Sequence, residues 1–116
     1  MPNNPPDIEA EIQFLSTADG GRMGPCRSGY RPTHDFGLEG FNDAHHEFIG
    51  KDWVHPGETA ISQMWLLAPE MQVGRLYIGF RFTVQEGRKI IGRGQITKIH
   101  NASLLKRSSA GPDNPL

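Results

Sequence analysis

Two stretches of the chain alternate between apolar and polar residues, which is the pattern of a β-strand with one buried face. The first covers residues 8–14 and the second covers 80–85. Residues 86–89 follow the second stretch as a tight turn and lead into a last strand, 90–100. The pattern therefore predicts an N-terminal strand and a C-terminal β-hairpin.

The middle of the chain is less regular. Residues 30–36 are predicted to be extended, with Pro32 placing an edge or an irregularity there because it lacks a backbone donor. Residues 59–67 are predicted to form a strand with Met64 to Leu67 largely buried. Residues 37–55 leave two alternatives open: a helical turn over 42–48 capped by Asn42, or strands joined by loops.

Two glycines in the last strand suggest how the sheet closes. Gly92 and Gly94 lie on one face by the period of two, together with Ile90 and Ile96. Missing side chains on an inward face let a strand bend, as the corners of small barrels require. We therefore predict an all-β fold, a small closed antiparallel β-barrel of about six strands, with a core that includes Ile12, Phe14, Trp65, Phe80, Phe82, Val84 and Ile96.

Residues 20–32 form the most distinctive loop. They contain four glycines, two prolines and three arginines within thirteen residues, a density that excludes a helix. Glycine gives the backbone access to positive φ, so this segment is a shaped loop, and its arginines suit carboxylate or phosphate. It is either a functional loop or an ordinary long connection between strands.

Length and composition predict the number of domains and the cellular location of the protein. With 116 residues, 36% of them apolar, it is predicted to form one barrel domain over 7–105, with a disordered start at 1–6 and a flexible tail at 106–116. No apolar run approaches about eighteen residues, and no secretory signal opens the chain, so we expect no membrane partner. A single cysteine excludes an internal disulfide, and we predict a cytoplasmic protein.

The net charge of −1 hides an asymmetry along the chain. Through Gly74 there are four Lys/Arg and eleven Asp/Glu, a net −7, whereas from Arg75 onward there are eight and two, a net +6. A basic third of this kind can bind nucleic acid or an acidic protein surface. It can also neutralise the acidic part within the fold, and both interpretations stay open.

Enzyme chemistry has little support in the sequence. No Gly-x-x-x-x-Gly-Lys-Ser/Thr sequence is present, so we expect no GTP hydrolysis, and no Gly-x-Ser-x-Gly sequence is present either. Arg22 and Arg27 could lower the thiol pKa of Cys26, but a lone cysteine is more often a small core filler. We therefore predict a non-enzymatic protein without a cofactor.

A metal site is a weaker alternative. His45 and His46 would point to opposite sides of a strand, which argues against joint ligation, and no zinc-finger or metalloprotease spacing occurs. Histidines on the surface of a polar connection are the favoured interpretation. The residues considered are His34, His45, His46, His55, Asp35, Asp43 and Glu47.

Three blocks of the sequence resemble the third, C-terminal β-barrel domain of translation elongation factor Tu. Residues 8–12 are similar to its opening strand, and 20–32, with Gly-Gly-Arg, Pro25 and Gly-Tyr-Arg-Pro, are similar to its arginine loop. Residues 79–94, with Gly-Phe-Arg-Phe-Thr-Val-Gln-Glu-Gly and Gly-Arg-Gly, are similar to its closing hairpin. The resemblance covers 8 to about 36 and 56–99, matches 37–55 poorly, and implies a Greek-key barrel without the GTPase domain.

The same resemblance implies a role in translation. In that family the domain helps hold the T-stem of aminoacyl-tRNA, faces the nucleotide exchange factor and packs on the GTPase domain. The Glu-Gly of the closing turn touches tRNA there and matches Glu86 and Gly87, but the Thr and Lys that grip RNA read Gly24 and Ala68 here. The resemblance therefore supports a shared fold more strongly than a shared function.

These observations favour a binding module over an enzyme, with two kinds of partner. In the first, the chain binds tRNA-like RNA through phosphate contacts and a sugar edge; in the second, it binds a translation factor or GTPase-domain protein as a mimic or decoy of the elongation factor. The residues predicted to contact RNA or a protein partner are Arg22, Arg27, Tyr30, Arg31, Glu86, Gly87, Arg88 and Lys89.

Overall fold

The chain forms an all-β domain built on one closed barrel. The computed structural model describes residues 4–38 and 40–107. Its eight strands are β1 (Ile8–Phe14), β2 (Cys26–Arg27), β3 (Thr33–Asp35), β4 (Asn42–Phe48), β5 (Trp53–Val54), β6 (Thr59–Leu66), β7 (Arg81–Glu86) and β8 (Lys89–Ile99). Three short 3₁₀ turns accompany them, at Thr17–Asp19, Pro69–Gln72 and Ala102–Leu104.

Six strands close the barrel in the order β1-β6-β4-β3-β7-β8, with β8 pairing back onto β1, and every pair is antiparallel. Strands β2 and β5 form a separate two-stranded ribbon. The predicted closed antiparallel barrel of about six strands is therefore confirmed.

Because neighbouring strands run in opposite directions, the connections collect at two ends. The arginine end, as we name it, carries residues 15–32, 49–58 and 87–88. The apolar end carries the opposite connections and both ends of the described chain, namely 4–7, 36–38, 40–41, 67–80 and 100–107.

Strand β1 has the burial pattern that its alternating sequence predicts. Its apolar side chains are buried from Ile8 to Phe14, while Glu11 and Gln13 face solvent, as predicted. Strand β6 repeats the arrangement, with four inward positions from Ala60 to Leu66 buried. The prediction that burial extends to Leu67 is wrong: the strand ends one residue earlier, and Leu67 is 52% exposed.

The ambiguous stretch 37–55 contains strands, so the helical alternative for 42–48 is wrong. Strand β4 places His45 and His46 on opposite faces, as their adjacency predicts. His46 lies inside the barrel, whereas His45 packs outside it, edge-on to the Trp65 ring at 5.7 Å. The expectation of surface histidines is wrong for both residues and for His34, because the barrel and the cover over its wall bury them.

Trp65 is buried, as predicted, but on the outer face of β6 and apart from the apolar cluster inside the barrel. The start of the described chain crosses this face, and the indole nitrogen donates to the carbonyl of Asn4 at 2.8 Å. The carboxylate of Asp7 also accepts the backbone N–H of Leu66 at 2.8 Å. Of the other predicted core residues, Phe80 is partly buried and the remainder are buried: Ile12, Phe14, Phe82, Val84 and Ile96.

The β7–β8 hairpin contains a bulge that sequence periodicity did not show. Gln85 pairs with Ile90 while Val84 pairs with Gly92, so Ile91 is an extra residue on β8. The bulge turns Ile91 into the core and Ile90 outward, and the predicted inward position of Ile90 is therefore wrong.

The inward placement of the two β8 glycines is confirmed, and Gly94 shows why. A Cβ at Gly94 would lie 2.3 Å from Cζ of Phe82 and 2.9 Å from Cδ1 of Ile12. Carbon atoms cannot approach so closely, so the Phe82 ring occupies the space that the glycine leaves empty.

Gly94→Ala should therefore destabilise the barrel by about 1–3 kcal/mol, the usual cost of overpacking a core. Gly24→Ala is the matched control, because Gly24 has negative φ and no atom within 4 Å of its virtual Cβ. Chemical denaturation measures both. A Gly94→Ala protein as stable as Gly24→Ala would show that the Phe82 ring moves aside at no cost.

The core contains a hydrogen-bonded histidine pair. The Nε2 atoms of His34 and His46 lie 2.8 Å apart, and both side chains are fully buried. His34 Nδ1 donates to the carbonyl of Asn42 at 2.9 Å, and Ser62 Oγ lies 2.7 Å from His46 Nδ1. With both rings neutral, one continuous chain of donors from Ser62 to Asn42 satisfies every nitrogen.

The predicted disordered start at 1–6 and tail at 106–116 fall largely on residues 1–3 and 108–116, which lie outside the described residues. Among the residues that are described, no helix is long and apolar enough to cross a membrane.

Candidate nucleic-acid interface

The arginine end joins the two segments that the sequence singled out. Glu86, at the end of β7, accepts hydrogen bonds from the guanidinium of Arg22 and from the hydroxyl of Tyr30. The Arg22 guanidinium also lies 5.2 Å from the centroid of the Tyr30 ring. Residues far apart in sequence thereby form one surface from the 20–31 loop and the 86–89 hairpin.

Arg22 holds this surface together through hydrogen bonds, and we call Arg22, Tyr30 and Glu86 the staple. Its Nε donates to the carbonyl of Gly24 at 3.2 Å, and a second nitrogen donates to the carbonyl of Pro25 at 3.3 Å. With Glu86, three of its five donors are used within the protein. Arg22 therefore shapes the loop more than it offers charge to a ligand.

Electrostatics within the staple match its geometry. Burial alone would lower the pKa of Arg22, but the hydrogen bond and the charge of Glu86 outweigh it and raise the pKa. Burial and the same carboxylate raise the pKa of Tyr30. At neutral pH the group therefore contains a charged arginine and a neutral phenol. Glu86 Oε1 has no hydrogen-bond partner among the described residues.

Cys26 belongs to the packing beneath this loop. It is buried and pairs with Val54 across the β2–β5 ribbon. Burial raises the pKa of its thiol to about 11, and this outweighs the nearby charge of Arg22. The expectation that arginines would lower the thiol pKa is wrong, because Cys26 is shielded from solvent; the core-filler interpretation fits the structure.

The hairpin tip and the second half of the loop carry unpaired cations. Gly87 adopts φ of 61° at the first position of a two-residue turn, a conformation that suits glycine. Arg88 and Lys89 follow it on the surface, and Arg31 is exposed at the other end of the loop. Within 4–38 and 40–107 none of these three cations forms an ion pair, so all are available to phosphates.

An exposed tryptophan completes the surface, and sequence reasoning missed it. Trp53 on β5 is 49% exposed, and the Arg27 guanidinium lies 5.5 Å from its ring centroid. Asp52 holds Arg27 from the side, with Nε to Oδ2 at 3.0 Å. The signal was present in sequence as a tryptophan directly after Gly50-Lys51-Asp52, an exposed type of segment, but it lies where the family resemblance fails.

The acidic and basic parts of the chain meet on the outer wall of the barrel, where β1 lies next to β8. Glu11 and Asp43 stand on the outer faces of β1 and β4, and Arg81 and Lys98 on those of β7 and β8. In the described part of the chain, no Lys or Arg after Gly74 pairs with an Asp or Glu before it. Direct neutralisation of the basic third by the acidic part therefore has no support from ion pairs.

The outer wall also contains an open groove of about 630 Å³. Arg81 and Arg93 line it, but so do Glu11 and Asp35, and its charge is mixed. The groove therefore combines two cations with two carboxylates on one surface.

The histidine-rich segment does not converge on a metal. In the ranges 4–38 and 40–107, no group of three or more His, Cys, Asp or Glu side chains is placed to hold a metal ion. The inner nitrogens of His34 and His46 face each other, and His45 Nε2 contacts Glu47 at 2.5 Å.

No protein-family model matches the chain. The likeness to the elongation factor Tu domain accordingly rests on the three sequence blocks given above.

Proposed function

We propose that the protein is a non-enzymatic binding module related to the third domain of elongation factor Tu, and that its arginine end binds structured, tRNA-like RNA. The observation that carries the proposal is the joining of the 20–31 loop to the 86–89 hairpin through Arg22, Tyr30 and Glu86. This joining makes one rigid platform from the two segments that the resemblance links to tRNA.

The platform offers the chemistry that RNA requires. Arg31, Arg88 and Lys89 supply unpaired positive charge for phosphates. Trp53, stacked by Arg27, presents an aromatic face on which an unpaired base can stack. Gly87 allows close approach of the backbone to a sugar, and the second oxygen of Glu86 can accept from a 2′-hydroxyl.

Purified tRNA tests the proposal through its salt dependence. An interface that uses about four phosphates should give a log–log slope of roughly −3 to −4. Arg88→Ala with Lys89→Ala should make that slope less steep by about two, because each phosphate contact contributes about one. The matched control removes two exposed cations remote from the arginine end, Lys98→Ala with Lys106→Ala, and should leave the slope unchanged.

Absence of tRNA binding at about 50 mM salt would refute the RNA proposal, since electrostatic binding is strongest there. An equal loss of slope in the control pair would mean that binding reflects the overall charge and not this surface.

A second candidate function is a protein interface at the same end, with a translation factor or GTPase-domain protein as partner. Met23 is 86% exposed at the loop tip, close in sequence to the staple, and Trp53 and Arg27 are residue types that dominate protein interfaces. Binding to such a protein would depend mainly on the exposed side chains of Met23 and Trp53. Met23→Ala would then weaken binding of the protein partner, and the unsubstituted protein would not bind tRNA; these two results together would separate the second function from the first.

A further inference from the structure

The apolar end carries a set of large side chains that the fold leaves uncovered. Val73 is 56% exposed and Ile78 is 59% exposed, and their neighbours in this set are exposed to a similar degree. A monomeric protein rarely leaves so many large apolar side chains together on one surface unless they bind something. We define the apolar surface by six residues: Leu67, Met71, Val73, Tyr77, Ile78 and Leu105.

Backbone hydrogen bonds fix the segments that carry these side chains. Gly74 donates to the carbonyl of Ser103 at 2.9 Å, and Leu76 donates to the carbonyl of Leu104 at 2.8 Å. Lys106 in turn donates to the carbonyl of Leu76 at 2.7 Å. The 67–80 connection and the chain after β8 therefore form one layer, with Leu76 and Leu104 buried beneath it and the apolar surface outside.

The charges beside Tyr77 and Leu105 are positive. Lys106 lies 5.8 Å from the centroid of the Tyr77 ring, and Arg107 follows it on the exposed chain. Arg75 lies 5.9 Å from the centroid of Phe80, which itself packs edge-on to Tyr77. The acidic residues lie on the other side of the surface: Glu70 in the 67–80 connection, and Asp43, whose carbonyl accepts the N–H of Leu67 at 3.0 Å. A matching partner would therefore have an apolar centre and an acidic edge.

We propose that the apolar surface is a docking site for a second protein whose contact region combines apolar side chains with Asp or Glu. It lies at the end of the barrel opposite the arginine end, so this proposal does not depend on RNA binding. The chain would then hold two partners at once, one at each end.

Other occupants fit less well. In a symmetric pair of copies the same patch faces itself, which would bring Lys106 and Arg107 of both copies together. A membrane surface usually recruits a larger group of Lys and Arg than these. Residues 108–116 contain one large apolar residue, Leu116, which cannot cover six.

Selection from a phage-displayed library of random peptides, with the full chain as bait, tests the proposal. Enriched peptides should combine apolar residues with Asp or Glu. By fluorescence anisotropy, Ile78→Asp should weaken binding of a synthetic enriched peptide at least about tenfold. Val73→Asp gives a second variant should Ile78→Asp fail to fold.

Ile49→Asp is the matched control, because Ile49 is also an exposed isoleucine but lies at the arginine end. The Ile49→Asp variant should bind the peptide with the affinity of the wild-type protein. Replacing the Asp and Glu residues of the peptide by Asn and Gln should weaken its binding to the wild-type protein. Ile78→Asp should leave the affinity for tRNA unchanged, which keeps this proposal separate from the proposed function.

Four results would overturn the proposal. The first is a selection with no peptide that depends on Ile78 or Val73, and the second is enrichment of basic peptides. The third is dimerisation in sedimentation equilibrium that Ile78→Asp abolishes, which would identify a second copy as the occupant. The fourth is binding to anionic phospholipid vesicles that Ile78→Asp abolishes, which would identify a membrane.

Discussion

Phe82→Ala should lower the free energy of unfolding by about 3–5 kcal/mol, the usual cost of removing a fully buried phenylalanine. Phe82 is 4% exposed and packs 5.0 Å from Phe36 and 5.8 Å from His34, centroid to centroid. Truncation removes the ring from the centre of this aromatic cluster. Gly94, the direct partner of Phe82 on the neighbouring strand β8, has no side chain that would fill the space.

Urea denaturation of Phe82→Ala measures this loss, with Arg81→Ala as the neighbouring control. Arg81 is exposed on the same strand and makes no ion pair with a described residue, so its loss should cost under about 0.5 kcal/mol. If the two variants were equally stable, the inward face of β7 would be assigned to the wrong residues.

Acidification should destabilise the barrel through its buried histidine pair. Burial lowers the pKa of His34 from 6.5 to about 4, and burial together with the charge of His34 lowers the pKa of His46 as well. Between pH 6.5 and 4 the unfolded chain therefore binds more protons than the folded chain. Stability is full above pH 6.5 and falls as the pH decreases toward 4, by roughly 3 kcal/mol for His34 at about 1.4 kcal/mol per pKa unit.

The contribution of the histidine pair is measured by thermal melts between pH 6.5 and 4. The wild-type protein is compared with the double variant H34F/H46L. Both partners of the 2.8 Å bond are replaced by apolar side chains, so no nitrogen of the pair is left unsatisfied. The variant retains the carboxylates that also titrate in acid, and the difference between the two profiles belongs to the histidines. Parallel profiles would show that the pair does not control acid stability.

The alternation of apolar and polar residues predicted the strands that have one face buried and the other exposed to solvent. Strands β1 and β7 alternate because their outward residues, such as Glu11 and Arg81, reach solvent. Strand β4 breaks the rule on both faces, since His46 is polar yet lies inside and His45 lies outside yet is covered. A periodic pattern cannot reveal a hydrogen-bonded pair in the core or a segment folded over the wall.

Local geometry limited the remaining predictions. The bulge at Ile91 reverses the direction of Ile90, and it depends on pairing with β7 and not on the sequence of β8 alone. For the candidate site, the sequence identified Arg22, Tyr30 and Glu86 but not that they contact one another, because such a contact depends on barrel closure. Trp53 was missed because β5 is only two residues long and has no period.

The segments that enter β1 and leave β8 lie side by side at the apolar end. The carbonyl of Asp7 accepts N–H bonds from His100 at 2.9 Å and from Asn101 at 3.0 Å. A polypeptide joined to the barrel through either of these described segments therefore approaches it from the end opposite Arg88 and Trp53.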